Sequence, residues 1–330
     1  MTHTERRGLR NTVIDGRYHL LSPIGLGGTA VVFAAERVTD GRAAVVKVLR
    51  DAFAFHRELT RRLRREGEVA RRVRHPGVVR FIDDGWLDDG SPYLVLERIR
   101  GECLARILRR HGPLPAELVA AIVLRVTSIL HAAHQAGYVH RDVKPEHIVL
   151  DRRQDGRLDV RLLDFGVCAA ADAPYDEREG ERGRVYGTPS YASPEQAAGR
   201  PDVDARADVF SLGTVMFEAL TGRLPFRARS VSRVLRQIIV EDAPRVGLLM
   251  PDLDLRMDEV VTRAMARIPH RRYASARALG RALMAVSGDR LAAERSLVAL
   301  IRRRAGSPSD HTPTVPRPDP DRVTQADRAA

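Results

Sequence analysis

Tyr138-Val139-His140-Arg141-Asp142-Val143-Lys144-Pro145-Glu146-His147-Ile148-Val149-Leu150, followed by Leu162-Leu163-Asp164-Phe165-Gly166, is the stretch on which the reading of this chain turns. Taken singly, the first piece is a charged turn and the second a strand-end Asp-x-Gly turn. A third piece, Gly187-Thr188-Pro189-Ser190-Tyr191-Ala192-Ser193-Pro194-Glu195, reads as a loop closed by proline. Their appearance together and in this order is not a chance arrangement.

Upstream, Gly25-Leu26-Gly27-Gly28-Thr29-Ala30-Val31-Val32 lies between two apolar runs. Glycines there let backbone amides approach a polyphosphate with no Cβ in the way, although such a hairpin on its own is only a turn. Lys47 gives it weight. It stands inside the β-branched run Val45-Val46-Lys47-Val48, where a buried charge needs a partner. Glu66, on the arginine-rich helix that follows, is the natural candidate. The alternative is an exposed ion pair between Glu66 and its arginine neighbours.

Apolar spacing organises the rest. Tyr18 to Ile24, Val31 to Ala35, Val45 to Val48, Val78 to Ile82 and Tyr93 to Leu96 read as strands, with Thr39-Asp40-Gly41 as a hairpin turn. One helix, Phe55 to Arg74, interrupts them, with Leu59, Leu63, Ala70 and Val73 on one face. After Gly101 the pattern turns helical: a stripe Leu104, Ile107, Leu108 stopped by Gly112, and a helix opened by Pro115 and running to about Gly137. Residues 207–222 and 257–287 are helical by pattern. Residues 1–14 are expected to be loose, and the Pro-, Asp- and Arg-rich end from Gly306 to be disordered. The expected division is 1–14 flexible, 15–98 a small β-rich lobe, 99–288 a larger helical lobe, and 289–330 a basic helix with its tail.

Composition excludes several classes. The chain has 330 residues, 44% hydrophobic and 30% charged, the balance of a globular protein. The longest purely apolar run, Leu118 to Leu124, is far short of the about 18 residues of a membrane span. The first residues carry no apolar core of a secretory signal. Two cysteines, Cys103 and Cys168, argue against a disulfide framework and for a reducing, cytoplasmic setting. The net charge of +12 comes almost wholly from arginine spread along the chain, with 5% aromatics. No basic-aromatic interleaving of the kind that stacks bases is present, so nucleic acid is not an expected partner.

The motifs resemble the eukaryotic-like bacterial serine/threonine protein kinases over about residues 15–285. The fold this implies is α+β and bilobal, with a small β-rich N-lobe bearing one helix and a larger helical C-lobe. By that resemblance Gly25, Gly27 and Gly28 cover the ATP phosphates, Ile24 and Leu26 beside them belong to the cofactor site, Val32 and Leu96 line the adenine pocket, and Glu97 to Ile99 form the hinge. Lys47, held by Glu66, would contact the α- and β-phosphates. Asp142 would accept the substrate hydroxyl proton, Lys144 would steady the γ-phosphate, and Asp164 would bind Mg²⁺ or Mn²⁺. Asp208 to Gly213 looks like the start of the central C-lobe helix, and Arg272 is placed like the arginine that pairs with the Glu195 position. Lys144 together with Thr188 resembles the serine/threonine subclass, with a protein hydroxyl as acceptor. Only two of the 55 basic residues are lysine, Lys47 and Lys144, one of about 1,500 placements. An ammonium and a guanidinium are not interchangeable around phosphate oxygens, so these two positions require lysine.

Three positions depart from the resemblance. Ala30 replaces the third glycine of the G-x-G-x-x-G pattern, Val45 replaces a smaller alanine above the adenine ring, and His147 stands where an asparagine binds the second metal. His147 reads as a structural substitute, as an altered metal ligand titrating near neutral pH, or as the mark of a pseudokinase acting as a nucleotide- or partner-binding scaffold. Between Gly166 and Gly187 there is no serine or threonine; Tyr175 is the midloop hydroxyl, followed by the charged run Asp176 to Arg182. That run either fills a cationic pocket at Arg141 or is a solvated loop. The arginines of the Glu66 helix read as a solvated face. Leu291 to Arg304 is amphipathic with a basic end, so packing against the C-lobe is preferred over weak contact with an anionic membrane surface. Oligomeric state, substrate and upstream signal are not legible.

Overall fold

A computed structural model describes residues 7–153, 155–170 and 182–302. The N-terminal part is a six-stranded antiparallel sheet in the order β1-β2-β3-β4-β6-β5. Its strands are β1 (Val13–Ile14), β2 (Tyr18–Leu26), β3 (Ala30–Arg37), β4 (Ala43–Leu49), β5 (Phe81–Trp86) and β6 (Pro92–Glu97). Helix α1 (Arg57–Arg72) connects β4 to β5. It lays Leu59 and Leu63 against Ala30, Leu49, Leu94 and Leu96 on one sheet face. The other face buries Leu20, Phe33, Val46, Val48 and Val95. Strand period decides where Lys47 goes. Val46 and Val48 point into one core, so Lys47 and Val45 point the opposite way, beneath α1 and toward the C-lobe.

The C-terminal part is built on two helices, α3 (Ala116–Gln135) and α5 (Arg206–Thr221). Nearly every side of α5 is buried, as expected of a helix surrounded by others. By length and composition α3 is long and apolar enough to cross a membrane. Leu118, Ile122, Val126, Ile129 and Leu130 are instead buried in the C-lobe core. Around these two lie β7 (Glu102–Cys103), α2 (Leu104–His111), β8 (Tyr138–Val139), β9 (Ile148–Arg152), β10 (Leu158–Leu162) and β11 (Ala169–Ala170). Further along come α4 (Pro194–Ala197), α6 (Val231–Val240), α7 (Leu255–Ala264), α8 (Ala276–Met284) and α9 (Arg290–Arg302). Two small sheets, β10-β9-β7 and β11-β8, hold the segments that carry the site.

Four expectations need correction. Residues 1–14 are not uniformly loose: Arg7–Leu9 forms a 3-10 turn and β1 pairs with Tyr18 and His19, burying Ile14. Asp15-Gly16, both at positive φ, make the tight turn that the pattern reading passed over. The strand expected at Val78 begins at Phe81, and Val78 makes only an isolated bridge to Leu162. The helix expected over 257–287 is two, α7 and α8, because Ile268 before Pro269 is held extended. Helix α6 was not expected at all. By contrast, α9 packs on α3 and buries Ala293, Leu297 and Val298, so its apolar face is covered by the C-lobe. The tail from residue 303 and the run Asp176–Glu181 lie outside the described residues.

Candidate active site

The cleft between the two parts is lined from above by Ile24, Val32, Val45 and Lys47 and at the back by Leu96, Glu97 and Ile99. From below come Val149, Leu163 and Asp164. Hairpin β2–β3 forms its roof. A Cβ at Gly27 would come within 3.3 Å of the Ala30 carbonyl, which accepts a hydrogen bond from the Gly27 amide. Gly28 faces open space, and Leu26 is half exposed rather than turned into the cleft. Ala30 is buried, its methyl packed with Leu49 and Leu59. Its departure from glycine therefore fills core space rather than cramping the hairpin.

Lys47 is the first centre. Its Nζ donates to Glu66 Oε2 at 2.7 Å and to Asp164 Oδ1 at 3.3 Å. Glu66 is 7% exposed, an inward residue of α1 and not a surface partner of the arginines. Burial disfavours the Lys47 ammonium, but the Asp164 and Glu66 carboxylates more than reverse this and raise its pKa above the ordinary value. Asp164 sits in the left-handed region at φ 60°. That conformation costs about 1 kcal/mol for a residue with a Cβ. A side chain on Gly166 would meet Asp164 Oδ1 at 3.0 Å and approach Glu66, which explains the glycine. Despite burial, Lys47, His147 and Lys144 hold the Asp164 carboxyl well below the usual carboxylate range.

Asp142 is the second centre. Lys144 Nζ donates to Asp142 Oδ2 at 2.7 Å and to Thr188 Oγ1 at 2.6 Å. The Thr188 amide donates to Asp142 Oδ1 at 2.7 Å. Gly187, at φ 88°, has its Cα so close to the catalytic loop that a Cβ would fall 2.5 Å from the Arg141 carbonyl. Burial opposes the Asp142 charge, yet Lys144 and His147 lower its pKa, so it is ionised at neutral pH. Asp208, at the start of α5 and fully buried, was missed as a site residue. Its carboxylate accepts from the His140 amide at 2.9 Å, the Arg141 amide at 2.8 Å and His134 Nε2 at 2.7 Å. It holds the loop in which Arg141 adopts φ 64°. Gln196 adds a hydrogen bond from Nε2 to the Arg141 carbonyl at 2.8 Å. Below, Arg272 grips Glu195 through two hydrogen bonds of 2.7 and 2.8 Å, the pairing that the resemblance implied.

His147 joins the two centres. Its Nδ1 lies 3.0 Å from the Asp142 carbonyl oxygen, and its Nε2 faces Asp164 Oδ2 at 3.6 Å. Burial pushes its pKa down to about 4, with Lys144 adding to the effect against the pull of Asp142 and Asp164. The expectation that His147 titrates near neutral pH is therefore wrong: the ring is neutral there. A neutral ring donating from Nδ1 to the carbonyl leaves the Nε2 lone pair aimed at Asp164. That donor set fits a divalent cation whose other ligands are phosphate oxygens and water. Among the described residues no cluster of three or more His, Cys, Asp or Glu side chains is arranged to hold an ion alone.

The arrangement is matched by what the chain is similar to. A family model described as the protein kinase domain matches residues 18–281. A probable serine/threonine-protein kinase of Corynebacterium efficiens is 39% identical over 271 residues, covering 80% of this chain and 40% of the relative. Serine/threonine-protein kinase pkn3 of Myxococcus xanthus is 35% identical over 88% of this chain and 53% of its own. Serine/threonine-protein kinase PknL of Mycobacterium tuberculosis is 36% identical over 86% and 69%. The chain thus spans about half the length of the first two of these relatives. The crystal structure of the Mycobacterium tuberculosis PknI kinase domain superposes with a TM-score of 0.65 at 30% identity, over 83% of this chain and 98% of that one. The chain belongs to the protein kinase domain family, among its eukaryotic-like bacterial serine/threonine members, and has the bilobal kinase fold.

Proposed function

We propose that the chain transfers the γ-phosphoryl group of ATP to serine or threonine hydroxyls of protein substrates. The observation that carries this reading is the joining of its two lysines, across one cleft, to two ionised aspartates, Lys47 to Asp164 and Lys144 to Asp142. The acceptor hydroxyl oxygen bonds to the γ-phosphorus as the bond to the β–γ bridging oxygen breaks. ADP leaves with that electron pair, and the hydroxyl proton passes to Asp142. Little covalent work falls to the protein, so these side chains act by placing the reactants and neutralising charge. In this reading Ile24, Val32, Val45, Leu96 and Ile99 clasp the base, Glu97 and Ile99 offer hinge backbone, and the Gly25–Gly28 hairpin lies over the phosphates. Lys47 meets the α- and β-phosphates, and Lys144 the γ-phosphate. Mg²⁺ or Mn²⁺ would be held by Asp164 and His147 and would offset phosphate charge.

The two free, buried cysteines support a reducing, cytoplasmic setting. The scaffold alternative requires a broken charge set, whereas Lys47, Glu66, Asp142, Lys144 and Asp164 are all joined as transfer needs. The test is incubation with γ-labelled ATP and a mixed protein substrate, with Mg²⁺ and with Mn²⁺, followed by phosphoamino-acid analysis. Labelled serine or threonine is the expected result. Nucleotide binding without transfer in either metal would leave the scaffold reading standing.

A further inference from the structure

This chain generally neutralises its arginines close to home. Arg200 pairs with Asp202, Arg206 with Asp204, Arg256 with Asp254 and Arg161 with Asp159, each partner two residues away. From Gly222 to Val240 the habit stops. Arg223, Arg227, Arg229, Arg233 and Arg236 occupy a stretch without a single Asp or Glu. All five are exposed, and none of their guanidinium groups has an ion-pair, hydrogen-bond or ring partner among the described residues.

Local physics argues against this placement as a stability device. Arg229 stands just before α6 and Arg233 in its first turn, at the positive end of the helix dipole, where carboxylates are favoured and cations are not. Ser230, the capping residue, makes no side-chain cap bond. The opposite face of α6 buries Val234, Leu235 and Ile238, so Arg233 and Arg236 point outward. Helix α6 packs against the 3-10 turn Pro189–Tyr191 and against α4. Those segments directly follow Thr188, whose amide donates to Asp142. The patch therefore flanks the acceptor side of the cleft, away from the nucleotide side.

We propose that Arg227, Arg229, Arg233 and Arg236 recruit protein substrates through an Asp/Glu-rich segment near the phosphorylated residue. The inference rests on the kinase reading above and adds its substrate class. Guanidinium forks match carboxylates, and a field of one sign steers encounter in a salt-dependent way. The one aromatic of the stretch, Phe226, is buried in the C-lobe core, so the exposed arginines lack the stacking surface of a nucleic-acid groove.

The test uses the full chain and two peptides with one shared acceptor segment, extended by an Asp/Glu run or by a Gly/Ser run of equal length. Wild type should show a KM about tenfold lower for the acidic peptide, with similar kcat, and the gap should close as salt rises. In R227Q/R229Q/R233Q/R236Q the gap should shrink to about twofold or less, while transfer to the Gly/Ser peptide is unchanged and reports intact folding. Equal KM values in wild type, or a gap that survives in the glutamine variant, would overturn the proposal. Anisotropy of a fluorescent acidic peptide, read without nucleotide, tests the patch even in a chain that transfers nothing. Binding of duplex DNA or anionic vesicles with no binding of that peptide would also overturn it.

Discussion

Lys47 and Lys144 are the only two lysines of the chain, and the structure holds them in opposite ways. Lys47 finds its partners 19 and 117 residues away, one on a helix of the N-lobe and one at the end of a C-lobe strand. Lys144 finds Asp142 two residues away and Thr188 on a loop clasped to the same place. The Lys144 centre rests on the fixed floor that Asp208 builds under the His140 and Arg141 amides. The Lys47 centre exists only while α1 and the C-lobe keep their present spacing. One centre is thus standing equipment, and the other is assembled by the lobes. In the proposed reaction the second would hold the α- and β-phosphates, and the first the γ-phosphate and the acceptor.

The largest effect expected from breaking this pair of centres is that of Asp142→Asn. The amide cannot take the hydroxyl proton and no longer pairs as an anion with Lys144. Transfer should fall by about a thousandfold, while nucleotide affinity stays within a few-fold because the Lys47 centre is untouched. Single-turnover transfer and nucleotide titration on the same protein check both halves. Loss of nucleotide affinity to a similar degree would show that the centres are not separate.

Thr188→Val is a smaller cut into the same centre. It keeps the backbone hydrogen bond to Asp142 and removes only the hydroxyl that accepts from Lys144. One charge-assisted hydrogen bond is worth about 1.5 kcal/mol, so kcat should drop about tenfold with nucleotide affinity unchanged. A kcat equal to wild type would mean that Lys144 needs no anchor from the loop.

His147 touches both centres, and its replacement should have the smallest effect on rate. Imidazole nitrogen is a softer ligand than a carbonyl oxygen, and Mg²⁺ prefers oxygen. The Mn²⁺/Mg²⁺ rate ratio of wild type should therefore exceed that of His147→Asn by a few-fold. The ring also links stability to pH. Its folded pKa of about 4 lies below the ordinary value of 6.5, so between these limits the unfolded chain binds a proton that the folded chain does not. Stability should rise with pH across that window, and His147→Asn should flatten that part of the Tm profile. An unchanged profile would show that the ring is not held neutral by burial.

How much of this was legible in the sequence depended on range. The β-branched run Val45-Val46-Lys47-Val48 placed Lys47 on a strand, and Glu66, on the helix that follows, was the natural candidate for its partner. The catalytic-loop residues were legible because their order is compact. Asp208 was seen only as part of a helix, because two of its three partners are backbone amides, which leave no mark in side-chain pattern, and the third, His134, lies 74 residues away. Thr188 was read as a mark of substrate class, and its grip on Lys144 needed the fold. The break between α7 and α8 was masked by continuous apolar spacing on both sides of Ile268-Pro269. The neutrality of His147 could not be read, since burial and not residue type sets its pKa. Helix α6 was lost because its arginines mask a buried face of only three residues, Val234, Leu235 and Ile238.

The division between the two centres is tested most directly by Lys47→Arg and Lys144→Arg, measured side by side for nucleotide affinity and for transfer from labelled ATP. Arginine keeps the charge but spreads it over a larger planar fork, so neither variant should hold its aspartate and a phosphate together. Both should lose transfer by about a hundredfold or more, with nucleotide binding weakened far more in Lys47→Arg, which loses two phosphate contacts, than in Lys144→Arg, which loses one. Transfer within a few-fold of wild type in either variant, or equal loss of nucleotide affinity in both, would contradict the account.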